Sequence, residues 1–296
     1  MQSGKVKEQQ SDRKLSDPAF PLEEKRVLLD GLEISYTTGG KGEPILILHG
    51  WGGSASSWEK VQRRLAARGY YVICPDLPGF GRSADPPIPW GIGDYTSFLS
   101  DFIEKIGLDG FFLLGHSLGG GLAMRFTAEH PQKVRALILC DAAVGTNRNN
   151  LNLRQKIAYA LTEGGYTFFT IPIFKKMLYP PAKQVLGMLT GIHDYYLARG
   201  TMKGSFEIII REDLSAFAPQ VKVPTLIIWG RKDRTLPVQA GFVLKGLIAN
   251  STLRVIEEAD HSPHRKMPEK LSQIILNFLQ DTTTGHQTAE SQIYSA

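Results

Sequence analysis

Between residues 21 and 281, short apolar runs alternate with stretches whose apolar positions recur every three to four residues. Arg26–Leu29 and Glu33–Thr37 flank Asp30-Gly31, a pair suited to a two-residue hairpin turn. Six further runs follow at Pro44–Leu48, Tyr70–Cys74, Gly110–Leu114, Val134–Cys140, Pro224–Trp229 and Thr252–Ile256. They are rich in Ile, Leu and Val without polar alternation, which predicts strands buried on both faces. The stretches around 57–68, 94–106, 118–130, 237–248 and 268–280 carry helical spacing. This alternation predicts a parallel sheet covered by helices on both sides.

One interval breaks the rhythm. After Cys140 the next predicted strand does not begin until Pro224, too long a gap for one crossover helix. Residues 147–213 lack strand-like runs apart from Ile208-Ile209-Ile210 and hold nine of the 24 Phe and Tyr residues. A structureless loop of that length is uncommon, so a helical insertion over the sheet is predicted. Its aromatic residues either form a small core of their own or line a pocket. Residues 1–20 and 282–296 are polar and read as loose tails.

Composition narrows the class. The 296 residues are 42% hydrophobic and 21% charged, as in an ordinary globular protein, and the length suits one large α/β domain or two small ones. The net charge of +5 is uneven, because residues 147–213 carry nine basic and five acidic side chains. That excess either faces solvent or favours substrates with an acidic end. No contiguous basic stripe or recognition helix points to nucleic acid. Cys74 and Cys140 each end an apolar run and read as buried free thiols. With a polar first 20 residues and no apolar run near the roughly 20 residues that span a bilayer, a cytoplasmic location is expected.

The chemistry concentrates in a few loops. Gly115-His116-Ser117-Leu118-Gly119 has the Gly-x-Ser-x-Gly form and lies between a predicted strand and a predicted helix. Small residues allow a tight turn that lifts Ser117 above the sheet edge, with a helix N-terminus aimed at the same spot. A serine nucleophile needs a base, and the base an orienting acid. His261 follows the last predicted strand and Asp233 the strand before it, so both belong to the sheet edge that carries Ser117. The chain order Ser, Asp, His is a known arrangement of such a triad. A developing oxyanion needs preset donors, which the amides of Leu118 and of Trp51, in His49-Gly50-Trp51-Gly52-Gly53, can supply.

Alternatives compete at several positions. His264 lies three residues from His261 and is a second candidate base; as a metal pair the two lack a third ligand at helical spacing. Asp141 also follows a strand directly and is a second candidate acid, although Ala142 and Ala143 beside it suggest packing. Asp76 opens Asp76-Leu77-Pro78-Gly79, which reads as a turn held by polar contacts, and His116 reads as a structural member of the elbow. The Gly-rich loop at 49–53 lacks the Gly-x4-Gly-Lys-Ser/Thr pattern of a phosphate loop.

Taken together, these motifs resemble the α/β-hydrolase-fold serine hydrolases over roughly residues 24–280. The resemblance rests on His49-Gly50-Trp51-Gly52, Asp76 to Ser83, Gly115 to Gly119, Trp229-Gly230 with Asp233 and Pro237, and His261-Ser262-Pro263-His264 with Pro268-Glu269. It implies a mostly parallel eight-stranded sheet over 21–143 and 216–281, with a helical cap over 144–215 shaping the pocket. It also implies Ser117, Asp233 and His261 as the catalytic triad, without cofactor or metal. The expected reaction is hydrolysis of a small carboxylic ester through an acyl-enzyme. Lactone or carbon–carbon bond hydrolysis and a catalytically silent binding role are the alternatives. Ser117 departs from relatives that open epoxides or displace halide, which carry Asp there. Ser262 departs from many carbon–carbon bond hydrolases, which carry Trp after the histidine, and Asp260 stands where many relatives have Gly.

Overall fold

The structure, a computed structural model, describes residues 20–144 and 200–293, with side chains up to residue 284. Eight strands form one sheet: β1 (Glu23–Leu29), β2 (Leu32–Gly39), β3 (Glu43–Leu48), β4 (Tyr70–Pro75), β5 (Phe111–His116), β6 (Val134–Cys140), β7 (Thr225–Gly230) and β8 (Ser251–Ile256). Their order across the sheet is β1-β2-β4-β3-β5-β6-β7-β8. Only β1–β2 and β2–β4 pair antiparallel; every other pair is parallel. The expected eight-stranded, mostly parallel α/β sheet is therefore present, with boundaries within two to three residues of the apolar runs.

Asp30 and Gly31 both adopt positive φ (46° and 82°), the backbone of a two-residue hairpin turn, and Leu29 pairs with Leu32 across it. The central strands β3 and β5 bury nearly every side chain because helices cover both faces. Edge strand β8 departs from that expectation. Ser251 to Val255 alternate between half-buried and exposed and only Ile256 is buried, so one face of this edge strand is open to solvent.

Helices α1 (Glu59–Ala66), α2 (Ile92–Lys105), α3 (Leu118–Glu129), α4 (Thr201–Ile209), α5 (Gln239–Leu247) and α6 (Pro268–Ile293) fall on the predicted stretches, apart from α4. Two apolar layers result. One holds Leu46, Leu113, Leu137 and Ile227 with Phe102, Phe126 and Leu122; the other holds Ile47, Leu114, Ile138 and Ile228 with Trp58, Leu65 and Leu271. Neighbouring residues of each strand thus point to opposite layers, as the two-residue period of a strand requires. Cys74 and Cys140 are free and buried.

The apolar run Ile208-Ile209, within the span read as a helical insertion, lies at the end of helix α4, with Ile208 42% exposed. The segment read as a loose tail from 282 continues helix α6 to Ile293. There the hydroxyls of Thr282, Thr283 and Thr284 donate to carbonyls four residues back, at 2.8, 3.0 and 2.9 Å, so these polar residues satisfy themselves within the helix. Of the helical cap expected over 144–215, residues 145–199 lie outside the described residues, as does most of the N-terminal tail. The chain returns through α4, which docks on the core. Ser205 Oγ accepts from the Trp90 amide at 2.8 Å, and Glu212 Oε1 accepts from the Ile92 amide at 2.7 Å. Among the described residues, no helix is long and apolar enough to cross a membrane.

Candidate active site

Ser117 sits between β5 and α3 with φ 49° and ψ −117°, a left-handed conformation that a side chain rarely adopts. Its neighbours enforce the turn. A Cβ on Gly115 would collide with the main chain of Gly119, and one on Gly119 with the carbonyls of Leu48 and His49. The amides of Gly120 and Gly121 bond back to the Ser117 carbonyl at 2.9 and 3.1 Å, and that of Ala143 at 2.8 Å, so three amides converge on one strained residue. The strain is thereby held by hydrogen bonds from two elements.

Sheet order brings the other members close. β7 and β8 follow β5 and β6 in space, so the loops after them meet the elbow at one sheet edge. His261 Nε2 lies 3.1 Å from Ser117 Oγ, and His261 Nδ1 lies 2.7 Å from Asp233 Oδ2. The other Asp233 oxygen accepts from the amides of Thr235 and Leu236 at 2.7 and 2.8 Å. These bonds fix the carboxylate and leave Oδ2 for the imidazole. The Asp233 side chain is wholly buried, while His261 retains 21% exposure. The three candidate residues therefore form one hydrogen-bonded chain.

Electrostatics favour a charged imidazole at His261. Burial alone opposes charge there, but the Asp233 hydrogen bond and the charges of Asp233, Asp141 and Asp260 outweigh it, so the pKa is raised. Asp260, which stands where many relatives have Gly, accepts from the Ser262 amide at 3.1 Å and pairs with Lys266. It thus adds negative charge beside His261.

His264, the alternative base, is placed elsewhere. Its ring stacks on Trp58 (4.6 Å between centroids, 5° between planes), and burial, followed by nearby Arg265 and His261, pulls its pKa down to about 3. A neutral, stacked ring is a packing element. His116 is likewise buried and held neutral, chiefly by burial and then by its histidine neighbours. Its Nε2 donates to the carbonyl of His261 at 2.7 Å. Asp76 forms the predicted polar turn, with Oδ1 accepting from Ala55 N at 2.6 Å and Oδ2 from Arg82 N at 2.8 Å.

The loop after β3 presses against the elbow. A Cβ on Gly50 would lie 2.8 Å from His116 Nδ1 and 3.0 Å from Ser117 Cβ. Buried His49 staples this loop to the next, with Nδ1 donating to Gly50 O at 2.8 Å and Nε2 accepting from Leu77 N at 3.0 Å. These partners fix the neutral tautomer, and burial lowers the pKa to match. The indole of Trp51 packs edge-on against Phe80 and Phe206, both at 4.9 Å. Phe206 carries no motif in the sequence, because its contact depends on how α4 returns to the core.

Asp141 stands nearer to this chain than its sequence context suggests. Donor atoms of Asp141, Asp233 and His261 all lie within 4.8 Å of one another. His264 belongs to no such group among the described residues.

Comparison with known proteins agrees with the fold. A model of the α/β hydrolase fold matches residues 43–164. A 2-hydroxy-6-oxo-6-(2'-aminophenyl)hexa-2,4-dienoic acid hydrolase of Metapseudomonas resinovorans is 30% identical over 86% of this chain and 90% of its own. Among solved structures, a bacterial membrane phospholipase A is 28% identical with a TM-score of 0.71, covering 88% of this chain and 87% of its own. An esterase from Exiguobacterium antarcticum is 25% identical with a TM-score of 0.71, covering 87% of this chain and all of its own, 100%. The chain belongs to the α/β-hydrolase-fold family.

Proposed function

We propose that this chain is a serine hydrolase that cleaves small carboxylic esters through an acyl-enzyme. The observation that carries the reading is the unbroken chain from Ser117 Oγ through His261 to Asp233, at 3.1 and 2.7 Å. His261 Nε2 takes the Ser117 proton as Oγ attacks the ester carbonyl. Asp233 holds the ring in the tautomer that presents Nε2 and steadies the imidazolium. The oxyanion is held by the amides of Leu118 and Trp51. Leu118 is the first residue of α3, so its amide has no carbonyl one turn back to bond. His261 then protonates the leaving alcohol and activates water to release the acid.

The second reading is hydrolysis of a carbon–carbon bond beside a ketone. It is favoured by the 30% identity to the dienoic acid hydrolase. The same residues serve both reactions, since each needs an activated Ser or water and an oxyanion site. A panel of short aryl esters, lactones and vinylogous 1,5-diketones, compared by kcat/KM, separates them. Turnover of aryl esters, lost by several orders of magnitude in Ser117→Ala, supports the ester reading. Turnover confined to the diketones replaces it with the second, and equal ester turnover in Ser117→Ala removes both.

A further inference from the structure

Asp141 is wholly buried at the end of β6, has a positive φ of 44°, and is one of only three such non-glycine residues described, with Asp30 in a hairpin turn and Ser117 at the elbow. A strained, buried carboxyl group needs a reason to persist. Structural need accounts for part of it, because Oδ1 accepts from the Gly230 amide at 2.8 Å and so links β6 to the end of β7. The second oxygen is poorly served. Its recorded partner is the Cys140 thiol at 3.4 Å, a weak donor. Asp233, by contrast, takes two amides and the imidazole.

The groups facing Asp141 come from four elements: Cys140 on β6, the Gly230 amide on β7, Asp233 in the loop after β7 and His261 in the loop after β8. Burial chiefly raises its pKa, opposed by the Gly230 bond and assisted by the Asp233 charge, to about 7. Two carboxyl groups so close to one imidazole form a unit that shares charge.

We propose that Asp141 is a second acid of the Ser117–His261–Asp233 site, a positioning residue that supports the His261 imidazolium and takes over its Nδ1 when the Asp233 carboxylate is removed. The geometry places the exchange within reach, since one polar atom from each of the three residues already lies within 4.8 Å of the others. The inference rests on the serine-hydrolase reading above.

The test is the rate at which a fluorophosphonate probe labels Ser117, which needs no natural substrate. Wild type is compared with Asp141→Asn, Asp233→Ala and the double variant from pH 5 to 9, with melting temperatures to establish folding. Asp233→Ala is expected to label about a hundredfold more slowly than wild type, and the double variant about tenfold more slowly again. Asp141→Asn alone is expected to shift the acid limb of the labelling profile to lower pH, a change that lost packing would not cause. Asp141→Ser serves the same comparisons if the Asn variant is unfolded. Equal labelling by Asp233→Ala and the double variant, with no shift in the single variant, overturns this inference alone. A folded wild type that never labels overturns the serine-hydrolase reading and this inference with it.

Discussion

His116 Nε2 donates to the main-chain carbonyl of His261 across 2.7 Å, so the residue before Ser117 holds in place the loop that carries its partner. The imidazole facing Ser117 is thus positioned from both sides, by Asp233 through the ring and by His116 through the backbone. Replacing His116 with Ala leaves that half-buried carbonyl without its donor and opens space beside Trp58 and His264. The expected cost is about 2–3 kcal/mol of stability, with kcat reduced more than KM is raised. Urea unfolding and steady-state kinetics on the same variant check both parts.

The raised pKa of His261 fixes the direction of two pH effects. A general base works only when neutral, so kcat/KM falls on the acid side with a midpoint above the ordinary 6.5. Stability runs the other way. A group with a raised folded pKa contributes its full stabilisation below the unfolded value near 6.5 and loses it as pH rises through the folded value. Asp233→Asn removes the largest upward influence, so the acid limb moves to lower pH and the stability change across that window shrinks. A limb that stays fixed in the variant contradicts the assignment of the Asp233 bond as its source.

Two glycines separate crowding from helix propensity. Gly119→Ala drives a methyl group into the main chain of the β3 loop, with an expected loss of about 3 kcal/mol and of activity. Gly246→Ala, within α5 and with open space around it, is expected to gain about 0.5–1 kcal/mol. Chemical denaturation of the two variants side by side gives opposite signs.

The edge-on contact between Trp51 and Phe206 joins the proposed oxyanion loop to the returning helix α4. Phe206→Ala removes an aromatic pair worth about 0.5–1.5 kcal/mol beyond buried area. The expected result is a several-fold rise in KM with kcat nearly unchanged, because the Trp51 amide stays in place through the His49 staple. A comparable fall in kcat instead assigns Phe206 to alignment of that amide.

Elements with strong local patterns are legible in the sequence. Apolar runs such as Val134–Cys140 became strands because a strand buried between two helix layers has no polar face to hide. The Gly115–Gly119 turn was legible because its glycines are demanded by contacts with main chain, which only that residue tolerates. Asp141 was harder. Its closeness to Asp233 arises from the parallel pairing of Cys140 with Ile228, residues separated by the whole insertion, and no local pattern encodes that register. The His116 bond to the His261 carbonyl is invisible for the same reason, since a main-chain acceptor leaves no mark in the sequence. At the C-terminus, threonines at 282–284 argued for a tail by propensity, and their hydroxyl bonds within the helix decided otherwise.

The central claim is that Ser117 becomes acylated. Mixing the protein with excess p-nitrophenyl acetate, quenching in acid within the first turnover and measuring intact mass tests it directly. The account predicts a species heavier by one acetyl group, mapped by peptide analysis to Ser117 and absent from Ser117→Ala. An unmodified wild-type protein that nevertheless turns over the ester, or the same adduct in Ser117→Ala, contradicts it.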